Sequence, residues 1–187
     1  MRTLKLIEYV TLDGVVEDPG PSGGFKYRGW TIPYWNEEMA EAQSEELFAS
    51  DALLLGRVTY EDFVAAWPLR SGDAFTDKIN SMKKFVASRK QGRALTWNAE
   101  LLGDDVVEAV KNLKKKSGSD ILIYGSPTLV RALMPHRLID EYHLIVYPLI
   151  LGQGKRLFQD GIEKLELNLL STKRTTKGVT LLTYTND

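Results

Sequence analysis

The sequence predicts an α/β protein built on one mixed, mostly parallel sheet with helices packed against it. Two observations carry that prediction. Short apolar runs at residues 5–12, 51–55, 84–88, 121–124 and 141–149 alternate with helical segments through most of the chain. The last stretch instead has the period-two alternation and turn of a hairpin, which adds antiparallel strands at one edge.

Residues 5–12 read as a strand that is apolar on both faces, hence interior to the sheet. The stretch 13–34 differs in kind, setting Gly14, Gly20, Gly23, Gly24 and Gly29 with Pro19, Pro21 and Pro33 among Phe25, Tyr27, Trp30 and Tyr34. Such a loop is either a lid over a site or a surface excursion whose aromatics tuck onto the core. Asn36 can cap a helix reaching about Ser50, with Glu37 and Glu38 in the first turn, where the helix dipole favours acids. A short buried strand, 51–55, ends at Gly56; helices follow over 59–67, stopped by Pro68, and over 73–82, and then comes the strand 84–88.

Asp104 is the predicted cap of the next helix, which places Val106, Val107, Val110 and Leu113 on one face and ends in Lys114, Lys115 and Lys116. The strand 121–124 leads into Gly125-Ser126-Pro127, a serine cap followed by proline at the first helical position, and this helix ends before Pro135. After the strand 141–149, Leu165, Leu167 and Leu169 alternate with Glu166 and Asn168, Lys177-Gly178 turns the chain, and 179–184 returns.

Composition bounds what such a fold does. The 187 residues suit a single domain spanning 1–187, and 43% hydrophobic with 26% charged residues are the proportions of a soluble globular protein. A net charge of −1 gives no footprint for nucleic acid or an anionic membrane. The first ten residues carry Arg2, Lys5 and Glu8 and read as neither a signal peptide nor a membrane span. The absence of cysteine excludes disulfides, thiolate metal sites and cysteine nucleophiles, and is compatible with a cytoplasmic location. No metal is expected.

Ligands of open α/β sheets bind beyond the carboxyl ends of the strands, and three such ends carry suggestive residues. Gly56-Arg57-Val58-Thr59-Tyr60-Glu61 opens a helix, where backbone amides and the Thr59 hydroxyl suit a phosphate and Arg57 adds a planar cationic fork; an ordinary turn with a solvated arginine is the alternative. Tyr124-Gly125-Ser126-Pro127-Thr128 offers close backbone approach and free amides, or is only a turn. Ser88-Arg89 pairs a hydroxyl with a guanidinium, which suits the 2′-phosphate that separates NADPH from NADH. Together the three suggest a long anionic, dinucleotide-sized ligand. Neither the Rossmann glycine fingerprint nor a Walker A sequence is present, so a different dinucleotide fold is implied.

The chain resembles the dihydrofolate-reductase superfamily and, within it, the riboflavin-biosynthesis reductase domain of RibD C-terminal type. The resemblance rests on Val10-Thr11-Leu12-Asp13-Gly14, Asp51 to Glu61, Ile123-Tyr124-Gly125-Ser126-Pro127-Thr128-Leu129, Leu138 to Tyr142, and Pro148 to Lys155, in that order. It implies a three-layer α/β sandwich with NADPH held by Gly56, Arg57, Thr59, Tyr60, Ser88, Arg89, Tyr124, Gly125, Ser126, Thr128 and Leu129. It further implies hydride transfer to a 5-amino-6-ribosylaminouracil-like or pterin-like ring, in an enzyme that forms a homodimer.

Dihydrofolate reduction is the alternative activity, and a nucleotide-binding module without turnover is a second. The chain departs from the riboflavin reductases at Tyr124, where they usually carry glutamate, and it lacks the arginines expected to hold a ribose phosphate. With only His136 and His143 and no cysteine it cannot carry the zinc deaminase of the bifunctional enzymes. For the proton that accompanies hydride transfer, Asp13 is the first candidate, with an Asp-Gly turn as its other reading. Glu41 is the residue of the first helix best spaced to face a pterin, with a solvated acidic face as the alternative.

Overall fold

The apolar run at the start of the chain becomes β1 (Leu4–Thr11), and it is central. In a computed structural model that describes residues 1–89 and 94–186, the sheet holds eight strands among those residues, in the order β4-β3-β2-β5-β1-β6-β8-β7. The others are β2 (Ser50–Gly56), β3 (Lys83–Ala87), β4 (Ala99–Leu101), β5 (Asp120–Tyr124), β6 (Glu141–Tyr147), β7 (Asn168–Arg174) and β8 (Thr180–Thr185). Strands β1 to β6 pair in parallel, and β8 joins β6 and β7 antiparallel.

Helices α1 (Glu37–Ala49), α2 (Arg57–Ala66) and α3 (Ala74–Ser81) cover one face, where Met39, Leu47, Tyr60 and Ile79 pack on Ile7, Leu53, Leu55 and Leu122. Helices α4 (Val106–Lys115) and α5 (Pro127–Leu133) cover the other, where Val110, Leu113, Leu129 and Leu133 meet Leu4, Leu6, Leu54 and Ile121. Burial on two faces is why the parallel strands read as continuous apolar runs.

The structure corrects the expected boundaries in four places. The cap of α4 is Asp105, one residue after the expected Asp104, because its carboxylate accepts from both Val107 N and Glu108 N. Helix α2 begins two residues earlier than expected, directly from Gly56. The hairpin strand begins at Asn168, leaving Leu165 and Leu167 outside it, where they pack on the core without ladder bonds. Strand β4, three residues on the edge of β3, went unforeseen because so short a run carries no periodicity.

The long loop lies between these elements and is pinned by its aromatics. Trp30 and Tyr34 meet the ring of the buried Tyr147 edge-on at 5.1 and 5.6 Å, and the Trp30 indole donates to the Glu17 carbonyl. No helix among the described residues is long and apolar enough to cross a membrane.

Candidate functional site

Strands β3, β2 and β5 are adjacent and parallel, so their carboxyl ends at Ala87, Gly56 and Tyr124 lie side by side. A groove of about 980 Å³ runs along them. Its walls include Gly56, Arg57, Ser88, Arg89, Ser126, Thr128 and Leu129, gathered from three strand ends far apart in the chain. Asp104, Asp105 and Val106, at the start of α4, close its far side.

The helix N-termini differ in how their amides are satisfied. The N-termini of α1, α3 and α4 are capped by the side chains of Asn36, Asp73 and Asp105. Those of α2 and α5, which open on the groove, have no side-chain cap. The first amides of α2, and in α5 those that follow Pro127, which has no N–H, are therefore left for water or a ligand, and an anion suits them. The two ends lie against each other: a β-carbon built on Gly56 would fall 2.1 Å from the Ser126 hydroxyl oxygen, so no larger residue fits there. Gly125 and Ser126 both take left-handed backbone conformations, with φ of 63° and 67°. For serine that costs on the order of 1 kcal/mol, which marks the turn as held for a purpose or by its packing. Arg57 Nη1 donates to both carboxylate oxygens of Glu61 at 2.8 and 2.9 Å, fixing the guanidinium at the rim, and Arg89 is exposed beside it.

A second cavity, of about 310 Å³, adjoins the groove through Ser126, which lines both. The β1–β5 register stops at Ile7–Tyr124; beyond it β5 turns away into α5 while β1 continues against β6. The cavity opens where the two strands part, lined by Ile7, Glu8, Tyr9, Thr59, Tyr124 and Gly125. Gln43 of α1 and Asp62, Phe63 and Trp67 of the α2 region complete it, and residues 18–22 of the long loop form one wall. The loop has features of both expected readings: residues 18–22 wall a cavity, while Trp30 and Tyr34 tuck onto the core. A β-carbon on Gly125 would reach within 3.7 Å of Glu8 Oε1 and 3.9 Å of Thr59 Oγ1, so its bare backbone faces the opening.

The electrostatics of this cavity centre on a carboxyl group. Glu8 is 4% exposed with no ion-pair partner among the described residues, and burial pushes its pKa up to about 8. Tyr124 is pushed up by burial and by Glu46, so its hydroxyl stays protonated. Asp62 is raised by burial and by its neighbours Asp18 and Glu61.

The remaining expected residues lie elsewhere. Tyr60 is buried under the groove, its hydroxyl bonded to the Thr96 carbonyl at 3.1 Å and amide at 3.0 Å. Thr59, Tyr124 and Gly125 line the cavity, not the groove. Asp13 lines neither: it accepts from Thr11 Oγ1, Leu151 N and Gly152 N, and these bonds outweigh its desolvation to hold its pKa low. That is the arrangement of a turn anchor. Glu41 is exposed on α1 and lines neither space. His143 faces Glu141 at 2.8 Å and Glu46 at 3.5 Å, away from both. Among the described residues no cluster could hold a metal ion.

Glu8 and Gln43 were missed by the sequence reading. Their signal was available: each is a polar residue inside an apolar row, Leu4-Leu6-Glu8-Val10 on β1 and Met39-Gln43-Leu47 on α1, all buried.

Comparison with known proteins agrees with this architecture. Residues 2–181 match the RibD C-terminal domain family. The chain is 32% identical over 180 residues to the uncharacterized protein YyaP of Bacillus subtilis, covering 94% of this chain and 90% of that protein. Two solved structures share the dihydrofolate-reductase-like fold over the whole of this chain. One is a putative riboflavin biosynthesis protein from Shewanella sp. PV-4, at a TM-score of 0.69 and 18% identity, with 99% of that chain covered. The other is a diaminohydroxyphosphoribosylaminopyrimidine deaminase/5-amino-6-(5-phosphoribosylamino)uracil reductase from Thermotoga maritima, at 0.68 and 16%, with 57% of that chain covered.

Proposed function

We infer that this protein, which belongs to the RibD C-terminal domain family, is an NADPH-dependent reductase that transfers hydride to a small heterocyclic substrate. The observation that carries the reading is the pair of uncapped helix N-termini meeting at one groove, while α1, α3 and α4 are capped. A dinucleotide fits the residues present. The amides of α2 and the turn at Ser126 suit its pyrophosphate, and Arg57, Ser88 and Arg89 suit a 2′-phosphate. NADPH bound there supplies the hydride. The chain's own part is positional: Gly125 leaves the backbone bare at the junction, Thr59 and Ser126 border the cavity, and residues 18–22 wall it on one side.

The relative from Thermotoga maritima is named for a reaction on a phosphoribosylaminouracil, and a related heterocycle is the substrate class we assign to this chain. The same reading includes a homodimer, for which the exposed edge strand β7, with Leu169 and Leu170 outward, offers a surface; light scattering measures it.

Fluorescence titration tests the cofactor. NADPH should bind in the micromolar range, and Arg89→Ala or Arg57→Ala should weaken NADPH at least tenfold while leaving NADH within about threefold. An equal loss for both nucleotides contradicts the 2′-phosphate role, and no binding at millimolar NADPH sinks the reading. Oxidation of bound NADPH is then followed with the ribosylaminouracil intermediate and with dihydrofolate. Binding without oxidation by either rejects those two substrates and leaves the cofactor assignment standing.

A further inference from the structure

Three polar side chains occupy positions that their rows would give to apolar ones. Glu8 stands between Leu6 and Val10 on β1, Gln43 between Met39 and Leu47 on α1, and Tyr124 follows Leu122 on the same face of β5. Each is at least nine-tenths buried, and each leaves a polar atom without a partner: Glu8 Oε2, Gln43 Nε2 and Tyr124 Oη. All three line the same cavity. Glu8 lies in the row of Leu6 and Val10 and the other two on the opposite face of the sheet, and they meet only at the cavity where β1 and β5 part. An unpartnered buried polar atom is destabilising, and three lining one cavity are groups that a ligand would satisfy.

The set has a definite chemistry. A carboxyl offers a donor and an acceptor, an amide offers both, and a phenol donates or accepts. They complement a ring edge with neighbouring N–H and C=O groups, and Phe63, Trp67 and Phe75 give the cavity apolar sides suited to a flat ring. The charge around the cavity argues against a phosphate on that ring. Among the described residues lining it, Arg70 alone is cationic, lying 4.9 Å from the Trp67 ring, whereas Asp18 and Asp62 are both acidic.

We propose, resting on the reductase reading above, that Glu8 is the acid of this cavity. With Gln43 and Tyr124 it holds an uncharged, unphosphorylated planar ring by neighbouring N–H and C=O groups, and it protonates the nitrogen of the C=N bond whose carbon takes the hydride. In that step the C=N π bond, the Glu8 O–H bond and the C–H bond of the hydride donor break, while C–H and N–H bonds form on the substrate. The substrate is reduced, NADPH is oxidised to NADP⁺, and the Glu8 carboxylate regains a proton from solvent. The titratable groups sharing the cavity with Glu8 are Tyr9, Tyr124, Asp18, Asp62 and Arg70. Burial keeps Glu8 in its acid form up to about pH 8, the form this role requires.

The test uses the full chain and 6-methyl-7,8-dihydropterin, an uncharged lactam ring with a C=N bond. Calorimetry on the NADP⁺-loaded protein should give measurable binding that Glu8→Leu or Gln43→Leu weakens at least tenfold. NADPH affinity should stay within about twofold in both variants, which also reports that they fold. If the wild type does not bind NADPH, the cofactor reading fails; if NADPH binds and the two variants hold the pterin as well as the wild type, this proposal fails. Glu8→Gln should keep pterin binding but lose at least a hundredfold in NADPH oxidation, together with the fall in rate above pH 8. Turnover within threefold of the wild type, or an alkaline limb that survives in Glu8→Gln, overturns the proton-donor role. In a matched pair, 5-amino-6-ribosylaminouracil should bind at least tenfold more tightly than its 5′-phosphate. The reverse order overturns the unphosphorylated assignment.

Discussion

Replacing Glu8 by glutamine should change how stability depends on pH, and the structure gives both sign and size. In the unfolded chain the carboxyl ionises near its ordinary value of 4.5; in the fold, burial holds the proton to about 8. Between those values the native state binds a proton that the unfolded state has released, so stability falls as pH rises through the window. Each pH unit well inside it corresponds to about 1.4 kcal/mol, and between pH 6 and 8, as ionisation in the fold sets in, the loss comes to about 2 kcal/mol.

Glutamine keeps the shape and removes the ionisation. The stability difference between Glu8→Gln and the wild type should therefore shift in the variant's favour by about 2 kcal/mol from pH 6 to pH 8. Urea unfolding of both proteins, followed by tryptophan fluorescence at pH 6, 7 and 8, measures it. A difference constant to within about 0.5 kcal/mol would mean that Glu8 titrates alike in both states, and the reasoning about a dry, unpartnered carboxyl would be refuted.

Other substitutions test the surrounding geometry. Gly56→Ala would drive a β-carbon into the Ser126 side chain; it should cost about 1–3 kcal/mol in urea unfolding and weaken NADP⁺ at least tenfold, and unchanged affinity would disconnect that contact from the cofactor groove. Asp13→Ala removes the acceptor for Thr11 Oγ1, Leu151 N and Gly152 N. It should lower stability by about 1–3 kcal/mol while kcat stays within threefold; a collapse of kcat with intact stability would restore Asp13 to the chemistry. Glu41→Gln, on the exposed side of α1, should leave both NADPH affinity and turnover within twofold, as steady-state kinetics will report. Trp30→Ala should raise KM more than it lowers kcat, because it releases the loop wall from Tyr147 without touching the groove; an unchanged KM would show that the wall holds without this anchor.

The groove was far more legible in the sequence than the cavity. Gly56-Arg57, Ser88-Arg89 and Ser126-Pro127-Thr128-Leu129 each follow a strand run immediately, and in a parallel sheet the carboxyl ends of neighbouring strands share one edge. Local pattern therefore sufficed to bring them together. The cavity depends on where β1 and β5 stop pairing and on which residue of α1 faces the gap, and both are properties of the packed sheet. The acids conspicuous in the sequence, Asp13 in an Asp-Gly pair and Glu41 in an acidic helix, line neither space. The buried acid, Glu8, sat inside a strand read as wholly apolar.

By itself, then, the order of apolar runs, caps and turns determined the α/β class, the central place of β1, the antiparallel hairpin and the strand ends that form the groove. Those features follow from side-chain periodicity and from the chain's obligation to satisfy its backbone, both of which are local. Tertiary structure alone decided which polar groups are dry. Whether a carboxyl is solvated or held protonated depends on everything packed around it, and for Glu8 that means the splitting of β1 from β5, the bare edge of Gly125 and the row of α1 that carries Gln43.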